Sequence, residues 1–329
     1  MIRRLLASIR AFLQMPHLID RVNYLPTKED IEHLKIQMVT YLSSKEDIEN
    51  LKLQNGRILA EINKTNTDKI LKNIHLAEFK IFSQFGDDGI IQFLVNYLDI
   101  DTHTFIEFGV ENYKESNTRF LLINCNWKGL IMDGSKVNVD QIKNEEIYWK
   151  YDVTAVPVFI TRENINEIIE SHNFNGEIGL LHIDIDGNDY WIWKEIKNIS
   201  PIIVVIEYNS VLGDEEAWTI DYDPDFYRTK AHFSNLYFGS SLLALCDLAE
   251  IKGYYFIGCN SNGNNAYFIR KDKISNLTSL TAKQGFISSK FRESRNEDGN
   301  LSYISGENRY EVIRGMKMYN TRTNKIDIL

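Results

Sequence analysis

Two short apolar runs, each ending at an acidic residue, constrain the fold of this chain more than any other feature. The first run, Thr104–Phe108, contains Glu107 and is followed directly by Gly109. The second run, residues 130–132, is followed by Asp133, twenty-six residues after Glu107. Runs of this length and composition predict buried strands, and the spacing leaves room for one helix between them. The pattern therefore predicts the first half of an α/β sheet that binds a ligand where its strands end.

The turn after the first run limits what this ligand can be. The sequence contains no G-x-G-x-x-G motif, and Val110, Glu111 and Asn112 stand where the pyrophosphate of a dinucleotide would need glycines. Gly109 would still let a ligand approach the backbone, and Asp133 could accept both hydroxyls of a ribose. These features predict a ribose-containing ligand without phosphates, such as S-adenosylmethionine.

The composition is that of a globular protein with an acidic main body. Of the 329 residues, 43% are apolar and 25% are charged, which is ordinary for a soluble domain. The net charge is −9, and the acidic excess lies after residue 75, which disfavours nucleic acid as the substrate. Cys125, Cys246 and Cys259 have no metal-site spacing, so we expect free thiols in a reducing cytoplasm. Neither a transmembrane segment nor a signal peptide is predicted.

A repeat with a period of 17 residues marks the N-terminal region. Fourteen residues from Tyr24 recur from Tyr41 with ten identities. Each copy carries a helix-start signal, at Thr27 and at Ser44, followed by apolar residues three positions apart. We predict that residues 1–75 form helical segments that mediate homo-oligomerisation, for example as a coiled coil, or pack against the main body. A solvated tether is the alternative.

The first fifteen residues predict an amphipathic helix. Their apolar residues fall on one face, whereas Arg3, Arg4 and Arg10 lie mostly off it. A basic amphipathic helix can lie on an anionic membrane surface. Peripheral membrane contact through residues 1–15 is therefore one hypothesis, and an ordinary packing helix is the other.

From residue 76 onward, strand patterns alternate with helix patterns. The predicted strands are Thr104–Phe108 and residues 130–132, 147–151, 178–183, 202–206, 254–259 and 266–270. The last two are separated by an Asn- and Gly-rich cluster that predicts a hairpin. The chain therefore predicts an α/β fold with a doubly wound, mostly parallel sheet and an antiparallel C-terminal hairpin strand at its edge. We assign residues 76–272 to this domain and residues 273–329 to an extension that forms a lid or a partner surface.

Five segments of this domain share their order and spacing with one known family. They are residues 83–90 (SQFGDDGI), 105–109 (FIEFG), 115–118 (ESNT), 131–135 (IMDGS) and 181–187 (LHIDIDG). In these segments the chain resembles the FkbM-like group of class I S-adenosylmethionine-dependent methyltransferases, over about residues 80–270. The resemblance implies a Rossmann-like fold and O-methylation, often of a sugar or polyketide hydroxyl in surface-glycan or natural-product biosynthesis. The chain departs from the family at Asp186, where Glu is commoner, and in keeping only Gly109 of the glycine-rich loop.

The resemblance and the strand-end pattern together imply a set of cofactor contacts. Glu107 would face the ammonium group of the cofactor, and Gly109 would lie against its methionine part. Asp133 would hold the ribose hydroxyls through charge-assisted hydrogen bonds. The further candidates are Ser116 and Asn117 for the carboxylate, with helix capping as the alternative, Asp152 for the adenine amino group, and Gln84 on the resemblance alone.

A second group of polar residues follows the fourth and fifth strands. Asp184 and Asp186 follow the fourth strand, and Glu207 and Asn209 follow the fifth. The run from Asp184 to Tyr190 is similar to the strand-four motif of metal-dependent O-methyltransferases. Oxygen ligands of this kind suit Mg²⁺ or Mn²⁺. We predict Asp184, Glu207 and Asn209 as metal ligands. The alternative is that these acids bind hydroxyls of the substrate directly.

Methyl transfer to a hydroxyl also needs a group that takes its proton. The candidates are Asp186, His182 and His232. His182 lies inside an apolar strand, where a core histidine is the alternative reading. His232 belongs to residues 221–238, whose mixture of aromatic and polar side chains is typical of a loop that contacts sugars. We therefore expect a small-molecule or glycan acceptor.

Two other functions fit parts of the sequence. Asp184 and Asp186 also form an Asp-x-Asp motif, through which glycosyltransferases hold a nucleotide-sugar diphosphate with Mn²⁺. A non-catalytic scaffold that assembles partners through the N-terminal repeat is the second alternative. The methyltransferase is favoured because the Asp-x-Asp motif follows a complete pair of strand-end signals at Glu107 and Asp133.

Overall fold

The computed structural model describes residues 45–98 and 100–329, and residues 55–329 form one compact unit. The predictions for residues 1–15 and for the first copy of the repeat lie outside the described residues. In the second copy, helix α1, Lys45–Thr65, begins at the residue after Ser44. Within the described part of the chain, no helix is both long and apolar enough to cross a bilayer.

A seven-stranded sheet forms the centre of the unit 55–329. Its strands are β1 (Thr104–Phe108), β2 (Lys128–Asp133), β3 (Val153–Pro157), β4 (Gly176–Ile183), β5 (Ile199–Glu207), β7 (Tyr254–Cys259) and β8 (Asn265–Arg270). They lie in the order β3-β2-β1-β4-β5-β8-β7. All pairings among β1 to β5 are parallel, whereas β8 runs antiparallel to both of its neighbours. The predicted fold class, a doubly wound and mostly parallel Rossmann-like sheet with a C-terminal hairpin, is confirmed.

The position of the antiparallel strand differs from the prediction. β8 lies inside the sheet, between β5 and β7, and β7 takes the edge. The hairpin turn brings β8 back against the open side of β5, where Ala266, Tyr267 and Phe268 are all fully buried. A strand that is apolar on both faces is stabilised by cover on both sides, which an interior position provides.

The third strand was predicted in the wrong place. Residues 147–151 were expected to be extended, but Glu146–Lys150 form the short helix α6 and β3 begins at Val153. The helix buries Ile147 and leaves Trp149 73% exposed. Five residues rich in Ile, Tyr and Trp fit a strand as well as a helical turn by composition alone, so packing decided between them.

Helices cover both faces of the sheet. In chain order after α1 they are α2 (Thr67–Ile70), α3 (Asp87–Tyr97), α4 (Arg119–Cys125), α5 (Lys136–Asn144), α6 (Glu146–Lys150), α7 (Ile165–Ser171), α8 (Asp189–Glu195), α9 (Arg228–Ala231), α10 (Leu242–Lys252), α11 (Ala282–Gly285) and α12 (Asn308–Ile313). One core packs α7, α8 and α10 on one face, and a second core packs α2 to α5 on the other. Helix α10 ends at Gly253, whose φ of +85° is the left-handed conformation that glycine favours.

The C-terminal extension belongs to the same compact unit. Strand β6 (Trp218–Thr219) pairs with β9 (Lys317–Asn320), which pairs with β10 (Lys325–Ile328), in a separate antiparallel sheet. Ile313 and Met318 are fully buried in a third apolar cluster beside Leu212, Ile220 and Leu236. This extension therefore supplies part of the protein interior.

Candidate functional site

A cavity of about 730 Å³ opens at the carboxyl ends of β1, β2, β4 and β5. Its volume is in the range of pockets that hold a cofactor or another small molecule. The predicted site residues that line it are Gln84, Glu107, Gly109, Ser116, Asn117, Asp133, His182, Asp184, Asp186 and Glu207. Asp152, His232 and Asn209 do not line it.

Gly109 brings the two halves of this site together. It has a φ of +71°, and a Cβ at this position would lie 1.7 Å from the carbonyl oxygen of Asp184. Only glycine therefore allows the turn after β1 to lie against the turn after β4. The sequence predicted this glycine for the approach of a ligand, but the close neighbour is the protein's own backbone.

Glu107 is buried, and its carboxylate is fully engaged by internal donors. Its Oε2 accepts hydrogen bonds from the hydroxyls of Ser116, at 2.6 Å, and Thr118, and its Oε1 accepts one from the amide of Asn117 at 2.9 Å. Because these donors precede α4, the carboxylate joins the end of β1 to the start of that helix. Glu107 therefore braces the predicted cofactor turn, and direct contact with a ligand ammonium group stays a prediction.

His182 completes the bracing of Glu107. Its Nδ1 lies 3.1 Å from Glu107 Oε1, and its Nε2 lies 2.7 Å from Asn117 Nδ2. Burial alone would lower the pKa of His182, but the hydrogen bond and charge of Glu107 raise it above its ordinary value. The same pair lowers the pKa of Glu107 although burial opposes this. Both ring nitrogens thus face partners within the protein, Glu107 and Asn117, and the role of His182 as a base stays a prediction.

Asp133 lines the cavity at the end of β2 with its carboxylate held by backbone donors. Its Oδ2 accepts from the amide of Glu111 at 2.8 Å, and its Oδ1 accepts from the amide of Ser135 at 2.8 Å. Oδ1 also accepts from Asn138 Nδ2 at 3.2 Å, whereas Oδ2 keeps acceptor capacity for a further donor. The side chain is thus fixed in orientation, and its contact with a ribose stays a prediction.

The loop before α3 contributes Gln84. The buried carboxylate of Asp88 accepts from the three consecutive backbone amides of residues 81–83, at 2.7 to 2.8 Å. Burial raises the pKa of Asp88 to about 6, although these hydrogen bonds oppose the shift. This cap fixes the loop that carries Gln84 into the cavity. Asp88 of the SQFGDDGI segment therefore has a structural role.

Asp152 was wrongly predicted to lie beside the adenine. It precedes β3, at the opposite end of the strand from the cavity, because the strand itself begins at Val153. The residues that follow the carboxyl end of β3 and line the cavity are Val158, Phe159 and Ile160. Phe159 stacks on Tyr227 with ring centroids 5.2 Å apart, so an aromatic pair lies where an acid was expected.

Three carboxylates meet on the β4 and β5 side of the cavity. One oxygen from each of Asp184, Asp186 and Glu207 lies within 4.8 Å of the others. Burial and the charge of Asp186 raise the pKa of Asp184 to about 7, and burial and the charge of Asp184 raise the pKa of Glu207 well above its ordinary value. Among the described residues, Glu207 Oε2 is shielded from solvent and has no hydrogen-bond partner. The group therefore has the oxygen atoms to bind a cation, whose charge would offset the repulsion between the carboxylates.

Asn209 has a different role from the predicted one. Its Nδ2 donates to the carbonyl oxygens of Leu236 and Phe238 at 2.9 and 3.0 Å, and its Oδ1 accepts from the amide of Val211. The buried amide therefore holds the segment around residue 237 and is committed to these bonds. In the group of three carboxylates, Asp186 takes the third place, which the sequence assigned to Asn209.

His232 lies outside the cavity lining. Its Nδ1 lies 2.8 Å from Ser234 Oγ, its ring packs on Phe233, and burial lowers its pKa. The sequence placed it in the right loop, since Tyr227, Arg228 and Asn235 from that loop do line the cavity. Which side chain of an irregular loop turns inward was not readable from composition.

The sequence also missed residues of the C-terminal extension. Residues 287–295, which we name the cover segment, contribute Glu293 and Arg295 to the cavity. Within this segment, Ile287 accepts a hydrogen bond from the hydroxyl of Tyr208, and the hydroxyls of Ser289 and Ser210 lie 2.6 Å apart. The segment thus crosses the carboxyl end of β5, a position that no local sequence signal indicates.

Solved structures with a similar fold carry methyltransferase descriptions. The N-terminal domain of EvdMO1 with SAH bound is 10% identical, with 57% of this chain and 80% of that chain covered and a TM-score of 0.39. An O-methyltransferase from Bacillus cereus in complex with SAH is 14% identical. The match covers 64% of this chain and 88% of that chain, with a TM-score of 0.38. No protein-family model and no curated protein matches the sequence.

Proposed function

We propose that this chain is an S-adenosylmethionine-dependent O-methyltransferase that acts on a sugar hydroxyl of a glycan or natural product. The observation that carries the proposal is that Asp133 and the carboxylates of Asp184, Asp186 and Glu207 line a single cavity. A ribose-binding acid and a hydroxyl-binding acidic group in one cavity support the transfer of a group from a nucleoside cofactor to a polyol. The sheet order and the FkbM-like segments agree with this assignment.

Different residues of the cavity would have different roles in the reaction. S-adenosylmethionine, when bound, supplies a methyl group that its sulfonium already activates for displacement. The protein then has to align the acceptor and remove its proton. Asp133 would orient the ribose, and Asp186, the most exposed of the three carboxylates, would face the acceptor hydroxyl. Glu107 and His182 would keep the turn between the two rigid.

We propose further that Asp184, Asp186 and Glu207 hold Mg²⁺ or Mn²⁺. Carboxylate oxygens are the ligands that these ions prefer, and the unpartnered Oε2 of Glu207 fits such a role. An ion of this kind, when bound, polarises an acceptor hydroxyl and lowers its pKa. In the alternative form of the proposal the same carboxylates bind the hydroxyls directly, and Asp186 takes the proton.

The proposal is tested by calorimetric titration of the purified protein with S-adenosylhomocysteine. We expect micromolar binding that Asp133→Ala weakens by about 30-fold or more, since the variant removes the charged acceptor of the ribose hydroxyls. Asp152→Ala is the matched control, because Asp152 is also a strand-end acid but lies outside the cavity, and its affinity should be unchanged. Melting temperatures show that both variants are folded.

Two other results would change the assignment. If the wild-type protein does not bind S-adenosylhomocysteine but takes up a nucleotide-diphosphate sugar with Mn²⁺, the glycosyltransferase is favoured. Once an acceptor is known, activity that persists in excess EDTA would remove the metal-dependent form and leave the direct one.

A further inference from the structure

We propose that Arg228 is a built-in counter-ion of the carboxylate group, which a divalent cation must displace from Asp186. Glu293 of the cover segment is the second anchor that keeps Arg228 beside the site. This inference rests on the metal-dependent form of the proposed function. It gives the C-terminal extension a role in controlling how tightly the site binds its cation.

Arg228 is fixed by four contacts around its guanidinium. Nη1 donates to Asp186 Oδ1 at 2.6 Å, and Nη2 donates to Glu293 Oε2 at 3.0 Å. Nε donates to the carbonyl oxygen of Asn235 at 2.7 Å, and the guanidinium lies 3.9 Å from the ring centroid of Phe238. Because the Nε hydrogen bond and the Phe238 ring hold the guanidinium in place, Arg228 can lose its contact with Asp186 without leaving the cavity wall.

The three carboxylates of Asp184, Asp186 and Glu207 have little positive charge around them. Arg228 is the one cation that forms an ion pair with any of the three carboxylates among the residues that the structure describes. The partnerless Glu207 Oε2 points to an absent ligand. Asn265, which is 2% exposed and pairs with Glu207 across β8 and β5, also lines the cavity and has an unpartnered Oδ1. Two buried acceptors without donors beside three acids indicate a site for a cation.

Glu293 reaches Arg228 because the cover segment is held at several points. Arg309, which is 3% exposed, donates to the hydroxyl and carbonyl oxygen of Ser289, and Phe291 stacks on Phe85 at 6.2 Å. The segment therefore spans the cavity from the loop of Gln84 to α9. Glu293 is a positioning residue in this arrangement, since it acts on the cation site through Arg228.

The charges predict opposite effects for the two side chains. Removing Arg228 takes away a competing positive charge, so a divalent cation should bind more tightly, by about tenfold or more. Removing the charge of Glu293 leaves Arg228 paired with Asp186 alone, so the cation should bind more weakly, by about threefold or more. If Glu293 acts only through Arg228, its substitution should have no effect once Arg228 has been replaced.

The experiment is calorimetric titration of the full chain with Mn²⁺ in the presence of saturating S-adenosylhomocysteine. The variants are Arg228→Gln, Glu293→Gln and the double variant. Arg295→Gln is the matched control, because Arg295 also lines the cavity but donates to the carbonyl oxygen of Gly299. We expect a control affinity within about twofold of the wild type, and a double variant that matches Arg228→Gln.

Each outcome is decisive for this inference. Equal or weaker Mn²⁺ binding by Arg228→Gln would overturn it, as would the absence of Mn²⁺ binding in both wild type and Arg228→Gln. An equal gain in the Arg295→Gln control would show a general charge effect and also overturn it. Should Arg228→Gln fail to fold, Glu293→Gln still has to weaken binding. The affinity for S-adenosylhomocysteine, measured for the same variants in a separate titration, tests the proposed function independently.

Discussion

At the scale of single residues, Gly109 and the Glu107–His182 pair shape the edge of the sheet at which the cavity opens. Gly109 lets two strand ends approach to a distance that no side chain would allow. The buried pair fixes the turn between them through one carboxylate that receives donors from β4 and from the start of α4. Both are cases in which a residue predicted to touch a ligand acts by shaping the backbone around it.

Replacement of Gly109 by alanine should unfold this region. A Cβ 1.7 Å from a carbonyl oxygen cannot be accommodated without moving β1 or β4, so we expect a loss of about 3 kcal/mol or more in the free energy of unfolding, measured with urea. Gly253→Ala is the control, because Gly253 also has positive φ but has open space around it. It should lose only about 1 kcal/mol. Equal losses would mean that backbone conformation alone is responsible.

The Glu107–His182 pair predicts a dependence of stability on pH. The folded pKa of His182 is raised above 6.5. Its contribution to stability is therefore fully present below pH 6.5 and is lost as pH rises through the folded pKa. The pKa of Glu107 is lowered from 4.5, so its contribution is present above pH 4.5 and is lost as pH falls through the folded value.

We therefore expect wild-type stability, measured with urea, to fall relative to that of His182→Gln as pH rises above neutrality. The glutamine keeps polar contacts in the same space but has no proton to lose. A constant difference between the two proteins from pH 6 to pH 9 would contradict a raised pKa of His182.

At the scale of elements, the cover segment depends on one buried arginine. Arg309 of α12 holds Ser289 through two hydrogen bonds, and Ser289 in turn contacts Ser210 just after β5. Among the described residues, no strand pairs with the stretch from Ile287 to Glu293, so these side-chain bonds hold it in place.

Helix α1 packs through Gly56, Ala60 and Asn63. The apolar stripe of the second repeat copy is exposed, with Ile48 at 45% and Leu51 at 51%. Homo-oligomerisation through this stripe stays a prediction.

Arg309→Met should release the cover segment while the sheet stays folded. Hydrogen exchange followed by mass spectrometry should show loss of protection in residues 287–295 and none in β4 or β5. Arg314→Met, which removes only an exposed pair with Glu311, should leave exchange unchanged. Unchanged protection in Arg309→Met would show that other contacts hold the segment.

At the scale of the whole molecule, the C-terminal extension is part of the folded unit. Its Ile313 and Met318 are fully buried against residues of the loop after β5, and β9 pairs with β6. A lid that opens independently would not bury such residues. The extension therefore contributes both to the buried interior and to the wall of the cavity.

A chain ending at residue 272 should consequently be unstable. It would expose the apolar cluster around Leu236 and remove two large buried side chains, each worth about 2 to 5 kcal/mol. We expect cooperative unfolding at a clearly lower urea concentration than in the full chain, or aggregation. A truncated chain with the midpoint of the full chain would show that the extension is a separate module.

The sequence by itself determined the elements and the strand-end acids. Runs of apolar residues and an Asn- and Gly-rich turn are local signals. They predicted β1, β4, β5 and the final hairpin because each signal acts over a few neighbouring residues. The same local reading found Asp133 and Asp184, since residues at the carboxyl ends of parallel strands meet at one edge.

Only the tertiary structure decided the rest. It made residues 146–150 a helix, placed β8 inside the sheet, turned His232 away and brought Glu293 to Arg228 across sixty-five positions of sequence. These outcomes depend on which surfaces remain to be covered once the sheet has formed, and on which long-range charges then lie close together. Such contacts have no counterpart in the order of residues along the chain, so they become visible only when the chain is folded.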